Sequence, residues 1–332
     1  MDEQAGLSRR GFLRGSAGLA ATLALAKVSP VLAQVSGSPR RPVLLVHGFG
    51  DRAETWSRAD NALSGRLVGA GYRPGVDLLP FRFPEAAATG VEDSEGDIGA
   101  TGAALAATIR AAATGSPDGQ VDLVSFSMGG LVSRWAINAL RAEGATRPFV
   151  NTAVLVAAPN YGADVLTRFA RLAPRGQAAI VELGRELFGL NLDSVSARQM
   201  MPNSDFLADL NRPERADDRV RFVTIAGSVR LSIRIFGATA TAEVGDGLIS
   251  PSSARYLPVV TPRSYVVRDE VAADGDSLFE AISRSYVFHG GLLFNDTVGL
   301  AAAAELSPDS AGLRAVLEQR LAGGQIALPA PV

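Results

Sequence analysis

The stretch Val121-Asp122-Leu123-Val124-Ser125-Phe126-Ser127-Met128-Gly129-Gly130-Leu131-Val132 decides the fold of this 332-residue chain. Residues 121–126 form an apolar run of strand length, and residues 129–141 carry helical spacing. The chain therefore passes from strand to helix at Ser127 with no room for a loop. Such a turn strains the backbone at the serine and lifts its hydroxyl above the sheet edge. It also brings the two backbones close together, which calls for small residues on either side of the serine. Gly129 meets that need, but position 125 is serine where a G-x-S-x-G turn has its first glycine. Serine is small and is expected to fit, with less room than glycine. The N-terminus of the following helix favours negative charge developing at Ser127. Ser127 is read as a nucleophile.

Outward from this turn the chain alternates between strand and helix patterns. Residues 42–46 are a short apolar run that ends in His47-Gly48-Phe49-Gly50, a buried strand followed by a glycine-rich turn. Residues 57–69 have helical spacing, and residues 76–83 read as a strand. An alanine-rich helix spans 98–113 and is stopped by Gly115 and Pro117. Further strands are expected at 152–157, 219–226 and 264–267, and an amphipathic closing helix at 313–321. Alternation of this kind implies an α/β fold, a mostly parallel, doubly wound sheet with helices on both faces. The segment 160–218 interrupts it with helical patterns at 165–172 and 178–188 and no clear strand. It is read as a helical cap inserted between two strands, because βα connections are normally short.

Composition narrows the function classes. The formal net charge is −2, so no basic field points to nucleic acid. The chain has no cysteine and only two histidines, which excludes disulfides and ordinary zinc sites. No cofactor and no metal is expected. Ser8-Arg9-Arg10-Gly11-Phe12-Leu13-Arg14, an apolar stretch over 19–26 and Val31-Leu32-Ala33 together read as a twin-arginine signal peptide cleaved after Ala33. The mature domain would then be residues 34–332, exported by the twin-arginine machinery to the periplasm or beyond, with no transmembrane helix.

A serine hydroxyl needs an adjacent base to act as a nucleophile, and imidazole is the usual one. His47 and His289 are the two available. Val43-Leu44-Leu45-Val46-His47-Gly48-Phe49, Ser127-Met128-Gly129-Gly130-Leu131-Val132-Ser133-Arg134 and Ala157-Ala158-Pro159-Asn160-Tyr161-Gly162 resemble bacterial triacylglycerol lipases and related esterases of the α/β-hydrolase superfamily. Asn203-Ser204-Asp205-Phe206-Leu207, Leu210-Asn211 and Asp246-Gly247-Leu248-Ile249-Ser250 extend the resemblance, which covers most of residues 42–295.

The resemblance implies a Ser-His-Asp triad in the order serine, acid, histidine, with His289 as base and His47 ordering its loop. It assigns the acid to Asp246, with Asp269, Asp274 and Asp276 as competitors nearer His289. It places the oxyanion donors at the backbone N–H groups of Phe49 and Met128. The expected activity is ester hydrolysis on a small-molecule or lipid ester. An acyltransferase with the same triad, or a non-catalytic binding domain on this fold, are the alternatives. Phe49, Trp56, Met128 and the cap are candidates to line an apolar acyl site. Ile180, Leu183, Leu187 and Phe188 would give the 178–188 helix an apolar face, as in a lid. The resemblance also suggests a calcium site, but the Asn295-Asp296 pair does not reproduce the carboxylate spacing of that site, so no metal is expected.

Overall fold

Strand β1, Val43–Val46, is buried along its whole length, as an unbroken apolar run requires of a strand covered on both faces. The computed structural model describes residues 40–332, apart from 87–89, 91, 165–190, 192, 236–237, 274–284, 308–310, 323–325 and 328–332. The expected leader, the 165–172 and 178–188 helices, Asp274 and Asp276 lie outside the described residues.

The chain continues through a 3-10 turn at Ala53–Ser57 and helix α1 at Ala62–Gly69 to strand β2 at Leu78–Phe81. Helix α2 spans Ile98–Thr114, strand β3 Val121–Phe126, helix α3 Met128–Ala142 and strand β4 Val150–Val156. Short helices α4, Val195–Gln199, and α5, Asp205–Leu210, precede strand β5, Arg221–Ile235. Strand β6, Ala238–Glu243, helix α6, Pro251–Arg255, and strand β7, Arg263–Ala273, follow. Helices α7, Asp296–Leu306, and α8, Ala311–Ala322, and strand β8, Ile326–Ala327, are the last elements among the described residues. The segment 160–218, expected as a cap, contains no strand among its described residues.

The strands lie in the order β2-β1-β3-β4-β5-β7-β8, with β6 paired to β5 off this path. Strands β2 through β5 and β7 pair in parallel, and β6 and β8 are antiparallel additions. Because β1 feeds β2 on one side while β3 lies on the other, the winding reverses between β1 and β3. Open α/β sheets place their sites at that reversal, outside the carboxyl ends of the strands. The turns after β1 and β3 are the ones that carry Phe49 and Ser127.

Side chains alternate between two apolar cores, one on each face of the sheet. Val43, Leu45, Val124, Phe126, Val154 and Val156 enter one. Leu44, Val46, Leu123, Ala153 and Leu155 enter the other.

Several elements differ from the sequence reading: β7 extends from the expected 264–267 to Ala273, and β6, α6 and β8 had no counterpart. Strand β5 runs nine residues past Ala226, to Ile235, because Gly227 and Ser228 pair within the ladder to β7 and do not break it. Helix α7 had no counterpart in that reading. Residues from Val298 to Leu306 are all buried, so it lacks the polar face that gives a surface helix its period. Asn295 caps it by accepting from the N–H groups of Thr297 and Val298.

Asp296, the first residue of α7, accepts from Arg66 of α1 and from Arg320 of α8. The Arg66 guanidinium foremost, with Arg320, holds its carboxyl below the ordinary carboxylate range. This contribution is present above the ordinary aspartate pKa and is lost as pH falls through the lowered value. Asp296→Asn should therefore lower Tm near neutral pH, by an amount within the ~0.2–1 kcal/mol of a half-exposed pair. The gap from wild type should close on acidification, as read by thermal melts across pH. A gap that stays constant into acid would remove the ion pair as its cause.

Candidate active site

Ser127 sits between β3 and α3 with φ 53° and ψ −128°. This backbone costs a non-glycine residue about 1–3 kcal/mol and persists only where its surroundings over-determine it. Here the Ser127 N–H donates to the Val156 carbonyl at 2.8 Å, and the Gly130 N–H donates to the Ser127 carbonyl at 2.9 Å. Helix α3 leaves so close to the end of β1 that a Cβ on Gly129 would lie 2.5 Å from the His47 carbonyl oxygen and 2.6 Å from that of Val46. Only glycine fits there. Ser125, the departure from the glycine pattern, is fully buried, and its hydroxyl lies 2.7 Å from that of Ser133 on α3. The serine is accommodated because the helix supplies a partner for the group it adds.

The structure brings Ser127, His289 and Asp246 into one hydrogen-bonded line. Asp246 follows the hairpin of β5 and β6, in a turn flanked by Gly245 and Gly247, both at positive φ. One carboxylate oxygen, Oδ1, accepts from the N–H groups of Leu248 at 3.0 Å and Ile249 at 2.8 Å. The other, Oδ2, accepts from His289 Nδ1 at 2.8 Å, across 43 residues of chain. With Nδ1 donating, Nε2 of the neutral ring is left as the acceptor. It lies 2.8 Å from the Ser127 hydroxyl, 162 residues away in sequence. His289 opens a 3-10 turn, His289–Phe294, and its own N–H donates to the Asp246 carbonyl at 2.8 Å. All three residues are buried.

Gly227, in the middle of β5, keeps this line in place. A Cβ there would lie 2.7 Å from the Val287 carbonyl oxygen and 3.0 Å from the Asp246 Cβ. The bare backbone of β5 lets the aspartate turn and the histidine turn lie against the same point of the sheet.

The remaining candidates resolve as follows. His47 is fully buried, and both ring nitrogens are committed, Nδ1 to the Gly48 carbonyl and Nε2 to Glu92, each at 3.0 Å. Neither ring nitrogen is free to serve the Ser127 hydroxyl. Asp269 accepts from the Ser285 hydroxyl at 2.6 Å. Phe49 is half-buried against the apolar core that contains Met128. Met128 opens α3, which has no side-chain cap, so its N–H belongs to the first turn, where helix donors lack partners within the helix. Trp56 belongs to the core with Leu63 and Leu67.

The lipase-like motifs at 134, 160 and 211 meet in one buried cluster. Arg134 donates to the side-chain oxygens of Asn160 at 3.2 Å and Asn211 at 2.7 Å. Asn160 donates onward to the Ala254 carbonyl at 2.7 Å. Burial without a carboxylate among these acceptors lowers the Arg134 pKa to about 10. The cluster ties α3, the turn after β4, the end of α5 and α6 together.

Sequence reading missed three contributors: Ser133, Gly227 and Glu92. The serine at 125 is itself a signal for a second hydroxyl on α3. Gly227 reads as a strand end, and nothing local marks Glu92. Ser125→Ala should strand the Ser133 hydroxyl and cost ~1–3 kcal/mol in denaturant unfolding. Adding Ser133→Ala should cost less than its effect in the wild type. Strictly additive losses would show that the two hydroxyls are not coupled.

No curated protein matches this chain. Among solved structures it is similar to the Bacillus licheniformis lipase BlEst2 in mature form, at 18% identity over 75% of this chain and 89% of that one, with a TM-score of 0.45. It is similar to Aspergillus fumigatus lipase B at 19% identity over 68% of this chain and 45% of that one, with a TM-score of 0.43. The phospholipase PlaB from Legionella pneumophila aligns at 12% identity over 86% of this chain and 64% of that one, with a TM-score of 0.44. At these scores the likenesses carry no argument about substrate. The alpha/beta hydrolase family matches residues 43–317, a span that holds every site residue described above. The chain belongs to the alpha/beta hydrolase family.

Proposed function

We propose that this protein is a serine carboxylic-ester hydrolase of the lipase or esterase type, acting through Ser127, His289 and Asp246. The observation that carries the reading is the pair of 2.8 Å hydrogen bonds that link the three side chains on a strained elbow. His289 Nε2 takes the proton of the Ser127 hydroxyl as Oγ attacks the ester carbonyl carbon. The carbonyl oxygen becomes an oxyanion that accepts from the N–H groups of Met128 and Phe49. Collapse of the tetrahedral intermediate breaks the carbon–oxygen bond to the alcohol, which leaves with the proton from His289. Water then attacks the acyl-enzyme, giving its proton to His289, and a second collapse releases the acid and restores the Ser127 hydroxyl. Asp246 holds the His289 tautomer throughout and stabilises the imidazolium that forms. The two backbone donors to Asp246 Oδ1 keep its other oxygen aimed at the ring.

The test is a panel of p-nitrophenyl esters of increasing chain length together with a serine-reactive fluorophosphonate. Wild type should turn over the esters and be labelled at Ser127. Ser127→Ala and His289→Ala should each lower kcat by about 10³-fold or more. Absence of labelling and turnover in wild type, or full activity in Ser127→Ala, would overturn the reading.

A further inference from the structure

We infer that Glu92 is a positioning residue for the oxyanion site, acting through His47 on the peptide that joins Gly48 to Phe49. The inference rests on the ester-hydrolase reading above. One of the two oxyanion donors, Met128 N–H, is held by the helix it opens. The other, Phe49 N–H, belongs to a turn and needs its orientation set by something else.

That orientation is set at the other end of the same peptide. The Gly48 carbonyl accepts from His47 Nδ1 at 3.0 Å. A trans peptide is planar, with its C=O and N–H pointing in opposite directions. Holding the Gly48 oxygen on the His47 side therefore turns the Phe49 N–H to the other side. The peptide borders the nucleophile, because a Cβ on Gly48 would lie 2.9 Å from the Ser127 Cβ.

The His47 ring is in turn unable to rotate. Its Nε2 lies 3.0 Å from Glu92 Oε2. The Phe83 ring stacks on its face, with centroids 3.7 Å apart and planes at 27°. Glu92 is fixed by donors from three further directions: the Phe83 N–H to Oε2 at 3.1 Å, Arg82 Nη1 to Oε1 at 2.9 Å, and a longer approach of the Ala53 N–H at 3.4 Å. Its side chain is only 6% exposed. Burying a carboxylate is costly unless it is paired, and this one is paired to the ring that orients the turn. Ser94, two residues on, accepts the Gly50 N–H at 3.0 Å. One short segment thus secures the turn on both sides of Phe49.

The experiment compares Glu92→Ala and Glu92→Gln with wild type on one soluble ester and on its thiono analogue, in which sulfur replaces the carbonyl oxygen. Amide N–H groups stabilise a developing oxyanion better than a thiolate-like sulfur, so the oxo-to-thiono rate ratio reads the oxyanion donors. Glu92→Ala should lower kcat on the oxo ester by about 10²-fold, the scale of losing one donor, with KM within about two-fold. Its oxo-to-thiono ratio should fall with kcat, while fluorophosphonate still labels Ser127. Glu92→Gln keeps the size and should fall in the same direction by less. If Glu92→Ala does not fold, as judged by its melt, the Gln variant decides by the same ratio. An unchanged ratio in a folded variant, whatever its kcat, would reduce Glu92 to a structural role and overturn the inference alone. Failure of wild type to be labelled or to turn over either ester would instead overturn the hydrolase reading, and this inference with it.

Discussion

Helix α3 leaves β3 at Ser127 only because Gly129 lies flat against the carbonyl oxygens that end β1. This contact sets the rest of the site. It fixes how far α3 stands from the sheet, and so how sharply the chain must bend at position 127. The bend is paid in backbone strain at Ser127, which the hydrogen bond from its N–H to Val156 of the adjacent strand retains. The same contact sets the turn after β1 beside the turn after β3, at the point where the winding of the sheet reverses. A larger residue at 129 would have to push α3 away from β1, and the serine would lose both its strain and its neighbours.

Asp246 and His289 come to this point from later in the chain, and neither is held by a regular element. Asp246 rides on a turn, and His289 opens a 3-10 turn. Their precision comes from backbone hydrogen bonds between the two turns: the His289 N–H to the Asp246 carbonyl, and the Asp246 N–H to the Ile249 carbonyl. Gly227 then gives both turns a common wall. The extension of β5 beyond β4 supplies that wall. Had the strand ended at Ala226, the Asp246 turn would have had no backbone to lie against.

Much of this was legible in the sequence because it is local. The strand-turn-helix pattern at 121–132 declares the elbow. Apolar runs without alternation declare a sheet buried on both faces, and the two cores show why, since alternate residues of each strand serve different faces. Two histidines in the whole chain left a short list of candidate bases. What was not legible depends on distance. Helix α7 is buried on all sides, so its composition has no period to find. The partner of Ser125 is eight residues away on a helix face. Glu92 meets His47 across 45 residues, in a segment with no pattern of its own. Gly227 carries the usual mark of a strand end, and only the contacts above it explain why it is glycine.

The two ends of the sheet divide the work. At the amino ends of the strands, buried carboxylates act as clamps. Asp122 near the start of β3 accepts from Thr152 N–H at 2.9 Å and from Asn151 at 3.0 Å, beside Arg41. Glu305 at the end of α7 binds Arg221 and Arg263, the first residues of β5 and β7, and the Tyr265 hydroxyl. Burial pushes the Asp122 carboxyl and the Tyr265 hydroxyl up from their ordinary values, but these groups face partners, not open cleft. At the carboxyl ends the strands are joined by turns held through backbone N–H groups and two carboxylate–histidine pairs. One of those pairs, Asp246 with His289, reaches the Ser127 hydroxyl directly. The other, Glu92 with His47, stops one peptide short of it. Both rings have one nitrogen tied to a carboxylate. They differ in what the second nitrogen faces: a hydroxyl that can give up a proton for His289, and a carbonyl that cannot for His47. That difference leaves His289 Nε2 beside a hydroxyl and commits His47 Nδ1 to a peptide carbonyl.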